Sequence, residues 1–327
     1  MRLIIACFIF FIFQLLGYAA IAQQNPSTIG YFVTDGSCCG GEESDPHAVF
    51  GIESSDGYIL IGKSMDESEN ENGFAVKISK ELPNQTLFLH PEENESYEWS
   101  IVLGEMNRRD GFNSAAIIQN HVFIAGFKES TEGIIDRHLA KVRLRDGKVI
   151  WSQSYASEKK DSSSAFESVI ATRAGGILLT GVKNSNYEEI EGFKSYGNPS
   201  GGDAFSMYFS PDNILSETPP KSATWENTYK NFVSGKSIKE IRDTGDFIIA
   251  TSTPEPMIAS VLRIDKNGDV LWDHKYPNHG EITDIVVSND GFFMSGNKGD
   301  WEHGYDGSIT KISDTGKILW NKLIGNP

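Results

Sequence analysis

Two stretches decide how this chain reads: Ile264-Asp265-Lys266-Asn267-Gly268-Asp269-Val270-Leu271-Trp272 and Ile312-Ser313-Asp314-Thr315-Gly316-Lys317-Ile318-Leu319-Trp320. In each, an alternating segment ends on an isoleucine, a polar residue and glycine make a tight turn, and an apolar run closes on tryptophan. Glycine marks such turns because they need a positive φ, which it adopts at little steric cost. Leu144-Arg145-Asp146-Gly147-Lys148-Val149-Ile150-Trp151 is a shorter version. Each stretch therefore predicts the last two strands of a small antiparallel sheet.

Working outward, the same unit recurs. Short apolar runs ending at a small residue stand at Tyr58–Gly62, Val122–Gly126, Ile177–Gly181, Phe247–Thr251 and Phe292–Gly296. Each follows a turn signal, in Asp56-Gly57, Asn120-His121, Gly175-Gly176, Gly245-Asp246 and Asp290-Gly291. Upstream of the turns lie strand-like segments at His47–Glu53, Ser114–Ile118, Phe166–Thr172, Ile238–Arg242 and Ile282–Ser288. Downstream lie period-2 segments at Phe74–Ile78, Leu139–Leu144, Ala204–Phe209, Ala259–Ile264 and Ser308–Ile312. A fourth segment carries Trp99, Trp151, Trp225, Trp272 or Trp320, spaced 52, 74, 47 and 48 residues apart.

Five units of about 40 to 50 residues with four strands each predict an all-β fold, a β-propeller of about five antiparallel blades. One such sheet leaves a face bare, whereas neighbours in a ring bury each other's faces, and a tryptophan supplies a broad apolar wedge. A pair of β-sandwiches is the competing fold; the return of tryptophan after the same three strands favours the propeller. No segment shows a sustained helical period. The blades are expected at about 46–104, 111–156, 164–230, 236–277 and 280–325, with residues 23–45 before them and Ile29–Val33 as a candidate ring-closing strand. Lys80–Tyr97 and Lys183–Gly202 read as insertions grown on loops, which a repeat scaffold tolerates.

The three turn-plus-tryptophan stretches resemble the tryptophan-docking repeat of quinoprotein-like propellers. They are still more similar to the repeats of secreted bacterial propellers of the delta-60 or quinoprotein-like kind. The resemblance spans all five units and implies architecture rather than activity, because propellers host many unrelated functions. Pyrroloquinoline quinone dehydrogenases of similar architecture need a full set of cofactor and calcium ligands, and no such set is found. No cofactor is therefore expected.

The leading residues point to export. Arg2, the apolar run Ile4–Leu16 broken only by Gln14, and the small-x-small site Ala20-Ile21-Ala22 predict a signal peptide over 1–22, leaving Gln23 first. The expected location is extracellular, or periplasmic in a Gram-negative host. No later segment is long and apolar enough to cross a bilayer. The formal charge of −16 repels phosphate backbones and anionic lipid, so neither nucleic acid nor membrane insertion is expected. Cys38 and Cys39 are the two cysteines beyond the leader. They exclude a disulfide framework and leave a vicinal disulfide or free or intermolecular thiols open. Asn84-Gln85-Thr86 and Asn94-Glu95-Ser96 are glycosylation sequons in a host that uses them.

Motifs for zinc proteases, GxSxG hydrolases and phosphate-cradling loops are absent. The seven histidines are scattered, with only His274 and His279 near ligand spacing, and no metal site is expected. Asp265-Lys266-Asn267-Gly268-Asp269 alternates oxygen ligands but reads better as a hairpin turn than as a calcium loop. Lys63–Gly73, Phe127–Arg137, Lys183–Gly202, Ser252–Met257 and Asn297–Asp306 are expected to share one propeller face. There the aromatic side chains Tyr187, Phe193, Tyr196, Trp301 and Tyr305, with Asp300 and Glu302, suit an extracellular protein or carbohydrate partner. The chain reads as a non-catalytic binding or scaffolding module. The alternative is a glycoside hydrolase, which would need a carboxylate pair.

Overall fold

The computed structural model describes residues 47–325 apart from 66–70, 81–96, 106–107, 158, 160–161, 186–201, 255–257, 278 and 301–303. The leader, Ile29–Val33, Cys38, Cys39, Asn84 and Asn94 lie outside the described residues.

The fold is all-β, a propeller of five four-stranded antiparallel blades, each a meander in chain order. Blade 1 is β1 (His47–Glu53), β2 (Gly57–Met65), β3 (Glu71–Ser79) and β4 (Tyr97–Leu103). Blade 2 is β5 (Asp110–Ile118), β6 (His121–Glu129), β7 (Ile135–Arg143) and β8 (Val149–Tyr155). Blade 3 is β9 (Ser163–Ala171), β10 (Ile177–Ser185), β11 (Asp203–Phe209) and β12 (Trp225–Tyr229). Blade 4 is β13 (Ser237–Glu240), β14 (Phe247–Ser252), β15 (Ala259–Ile264) and β16 (Val270–Tyr276). Blade 5 is β17 (Ile282–Ser288), β18 (Gly291–Asp300), β19 (Gly304–Ile312) and β20 (Ile318–Ile324). Two compact units divide the chain after Tyr155, the first holding blades 1 and 2 and the second blades 3 to 5.

The arms joining second to third strands outrun the apolar pattern. Phe127–Arg137, expected as a loop, stays paired to Glu129↔Ile135, and Asn297–Asp306 to Asp300↔Gly304. Backbone pairing continues past the apolar run because the N–H and C=O groups of the two strands partner each other whatever the side chains. One short helix, α1 (Pro211–Leu215), interrupts the turn between the third and fourth strands of blade 3. Proline suits its first turn, where the missing N–H has no helical partner.

Within each unit the cores span blade boundaries. Ile52, Ile59, Ile61 and Trp99 of blade 1 pack with Phe112, Val122 and Ile124 of blade 2. Leu178 and Tyr229 pack with Ile238 and Ile249 between blades 3 and 4. Ile248 and Val261 pack with Ile285 and Phe292 between blades 4 and 5. Each fully buried aliphatic or aromatic side chain contributes about 1.5–3 kcal/mol, so the seams carry much of the stability.

A cation sits opposite the tryptophan in four blades: Lys77↔Trp99, Lys141↔Trp151, Arg263↔Trp272 and Lys311↔Trp320. In each, a bulge follows the cation directly. Three of these cations reach back to the acid of the first hairpin turn: Lys77 to Asp56 at 2.7 Å, Arg263 to Asp246 at 2.7 Å and Lys311 to Asp290 at 2.6 Å. The aspartates of these turns are therefore ion-pair partners as well as turn residues. In blade 3 the cation is replaced by Tyr208, stacked on Trp225 with ring centroids 5.7 Å apart.

Candidate functional site

In the first unit, the ends of β4 and β6 meet the starts of β5 and β7 around a cleft of about 130 Å³. Its walls include Val102, Leu103, Phe112 and Phe127, and its polar groups come from Asp110, Lys128, His138 and Ser152. The volume suits a ligand of about one six-membered ring, judging by the roughly 150 Å³ cavity that holds benzene.

The polar groups are placed by backbone and by one another. Asp110, the first residue of β5, accepts the backbone N–H of Glu105 at 2.9 Å through Oδ2 and that of Glu129 at 3.2 Å through Oδ1. It thus ties the link between blades to the end of β6. Burial raises its pKa above the usual carboxylate range, yet each oxygen keeps a further lone pair for a ligand. Lys128 Nζ lies 2.7 Å from Glu105 Oε1, and this hydrogen bond holds the Glu105 carboxyl below its usual range. His138 Nδ1 is 3.0 Å from Ser154 Oγ. Burial, helped by the Lys128 charge, depresses its pKa to about 4, so the imidazole is neutral near pH 7. Beneath the cleft, Phe112 fills the space a side chain at Gly73 would need, since a Cβ there would come within 3.0 Å of its ring. Lys63 Nζ lies 6.0 Å from the Phe127 ring centroid, within cation–π range.

The lining offers one desolvated carboxylate, one paired ammonium, a neutral imidazole and a hydroxyl against apolar walls. Donors and acceptors are present without a large net charge, an arrangement that receives a small neutral polar group. Among the described residues, no cluster of three His, Cys, Asp or Glu side chains is arranged to hold a metal ion. Asp265 is occupied in its own turn, accepting the N–H of Asn267 at 2.8 Å and of Asp269 at 2.9 Å.

The sequence-predicted partner residues are not brought into this cleft by anything described. Tyr187, Phe193, Tyr196, Trp301 and Glu302 lie outside the described residues. Asp300 and Tyr305 are described by backbone alone and stand in the β18–β19 arm, paired Asp300↔Gly304 and Gly299↔Tyr305. His138 and Asp110 were missed because neither belongs to a recognisable motif. A signal for His138 existed: it shares strand parity with Ala140 and Val142, which belong to the core shared by blades 1 and 2, and so points toward that boundary.

No family model matches this chain, and no curated protein does. Solved structures do match in fold. Hydrazine synthase from Kuenenia stuttgartiensis is similar over 90% of this chain and 70% of its own, with TM-score 0.53 and 8% identity. BamB from Moraxella catarrhalis matches over 85% and 78%, with TM-score 0.41 and 10% identity. A GH43_1 enzyme from Xanthomonas citri matches over 94% and 96%, with TM-score 0.45 and 10% identity. At such identity the likeness is one of fold alone, and the propeller is the fold shared. Among the described residues, no helix is long and apolar enough to cross a membrane.

Proposed function

We propose that this chain is a secreted, non-catalytic binding module that engages an extracellular protein or carbohydrate through the loop-bearing ends of its blades. The supporting observation is the way the cleft at blades 1 and 2 uses its ionisable groups. Asp110 holds two backbone amides, Lys128 holds Glu105, and His138 stays neutral against Ser154. Acid–base catalysis of glycoside cleavage needs a second carboxylate across the bond; among the described residues that line this cleft, Asp110 is the one carboxylate. Groups committed to loop geometry favour recognition over proton transfer. Export is part of the same reading and rests on the leader pattern of Arg2, Ile4–Leu16 and Ala20-Ile21-Ala22.

The test pairs turnover with binding. The purified chain is assayed on a panel of aryl glycosides and titrated calorimetrically with the matching oligosaccharides, while cross-linking with mass spectrometry maps protein partners in its native medium. Saturable binding without turnover, or cross-links concentrated on the blade-end loops, supports the reading. Turnover abolished by Asp110→Asn overturns it in favour of the glycosidase.

A further inference from the structure

Among the described residues, eight large apolar side chains stand exposed, and four of them lie on one strand, β20: Ile318, Leu319, Trp320 and Leu323, at 41%, 52%, 42% and 50%. β20 is the terminal strand of the blade 5 sheet, paired to β19 on one side, and no described strand pairs with its other side. Its tryptophan differs from its counterparts. Trp99 and Trp151 are buried, whereas Trp320 meets Phe293 of its own blade, ring centroids 5.8 Å apart, and remains exposed. An edge of open N–H and C=O groups flanked by apolar side chains is a template for a further strand.

The order of residues in β20 decides which strand fits. Ile318-Leu319-Trp320-Asn321-Lys322-Leu323-Ile324 reads the same from either end, except that Trp320 and Lys322 change places. Antiparallel strands set residues opposite each other in reverse order. A second β20, turned about a two-fold axis at Asn321, therefore brings Leu319 against Leu323, Ile318 against Ile324 and Trp320 against Lys322, each contact made twice. Apolar groups meet apolar groups, and each ammonium lies beside an aromatic ring as a cation–π pair. Lys322 is the one charged residue of β20, and lysine on an edge ordinarily guards it against pairing. Here it selects the register, because a shift that sets Lys322 opposite Lys322 brings like charges together and loses the leucine match. Leu319 is the residue that the β19 pairing skips, since Trp320 faces Lys311 and Ile318 faces Ile312. The strand bends at that bulge, so the shared ladder is short and centred on Trp320–Lys322.

We propose that β20 is a homodimerisation edge, on which a second copy of this chain adds its own β20 antiparallel about a two-fold axis at Asn321. Such an isologous contact is closed, giving a dimer and no longer assembly. A strip of this size falls in the class of weak, transient interfaces, so the dimer forms and dissociates with concentration. The edge lies in the second unit, and the proposal stands or falls separately from what the cleft at blades 1 and 2 binds.

The test is sedimentation velocity of the purified chain over a concentration series, in reductant so that Cys38 and Cys39 do not link chains. A monomer–dimer equilibrium is expected. Leu323→Glu sets a carboxylate against Leu319 of the second copy and should raise the dissociation constant at least about tenfold. Leu271→Glu, at a leucine as exposed on β16 of blade 4, should leave it unchanged. Oxidation reads the register. Asn321→Cys, combined with Cys38→Ser and Cys39→Ser, faces its own copy and should link into a dimer on non-reducing gels, whereas Leu323→Cys in the same background is too far from its copy and should not. Positions 271, 321 and 323 are exposed, so these variants keep the fold. A chain that stays monomeric throughout, whether residues 23–45 cover β20 or leave it bare, overturns the proposal. A dimer insensitive to Leu323→Glu, or one linked through Leu323→Cys instead, overturns it equally.

Discussion

The Tyr276 hydroxyl of blade 4 donates a hydrogen bond of 2.9 Å to the carbonyl of Gly316, in the turn between the third and fourth strands of blade 5. The same latch joins Tyr229 of blade 3 to Gly268 O of blade 4 at 3.0 Å. In the first unit Trp99 Nε1 takes that part, donating to Leu144 O at 2.8 Å. A blade thus closes on the turn of its successor with an aromatic donor that brings apolar area and satisfies a buried carbonyl at once. Removing only the donor tests the latch. Tyr276→Phe is expected to lower stability by about 1–2 kcal/mol, because the Gly316 carbonyl is left buried without its partner. Denaturant unfolding should show a lower midpoint at unchanged slope.

The turn glycines serve two purposes, and blade 4 separates them. Gly245 has φ +75° with nothing within 4 Å of a built Cβ, whereas Gly268 has φ +85° and its Cβ would stand 2.6 Å from the Trp225 ring. Gly245→Ala meets only the cost of the left-handed conformation, about 1–2 kcal/mol. Gly268→Ala adds a clash with a ring held by Tyr208, and is expected to destabilise by at least about 2 kcal/mol more. Equal effects in thermal melts would mean that the docking against Trp225 is unimportant.

Lys77 is sealed by the blade while its partners Asp56 and Glu98, both 2.7 Å away, reach solvent. Its stem therefore matters as packing as well as its charge. Lys77→Met keeps the volume and spares the desolvation of an ammonium, and is expected to change stability by no more than about 1 kcal/mol. Lys77→Ala leaves a cavity and should cost about 2–4 kcal/mol. A Met variant as unstable as the Ala variant would assign the stabilisation to the ion pair.

His138 predicts a specific acid response. Its folded pKa, depressed by burial to about 4 from 6.5, means that the unfolded chain binds the proton over that interval and the native chain does not. Stability therefore rises with pH through the window and is lost as pH falls from 6.5 toward 4. The complete effect is about 3 kcal/mol. His138→Gln should flatten the melting temperature over this range. Asp56 and Asp290, lowered chiefly by hydrogen bonds from Lys77 and Lys311, act at lower pH: their contribution is present above the usual carboxylate range and disappears below it. A wild-type slope between pH 4 and 6.5 that survives in His138→Gln would assign it to other groups.

Much of the architecture was legible in the chain because its causes are local. The glycines at 147, 268 and 316 take φ of +68°, +85° and +81°, as their turns require, and apolar alternation located all five hairpins. Strand ends were underestimated at Lys128, Arg137 and Asp300, where backbone pairing runs on after the hydrophobic pattern stops. The site was largely illegible. Asp110 and His138 stand 28 residues apart and look like ordinary strand residues, and only the packing of blade 2 against blade 1 gives them one cleft.

Sequence alone thus determined the repeat, its turns and its all-β character, since positive φ and two-residue alternation act within a few residues. Tertiary structure alone decided that turn aspartates pair with buried cations, that Tyr276 caps a carbonyl of the next blade, and that Asp110 and His138 line one cleft. Those facts depend on which side chains meet within a blade and across its boundary, and neither composition nor spacing encodes that meeting.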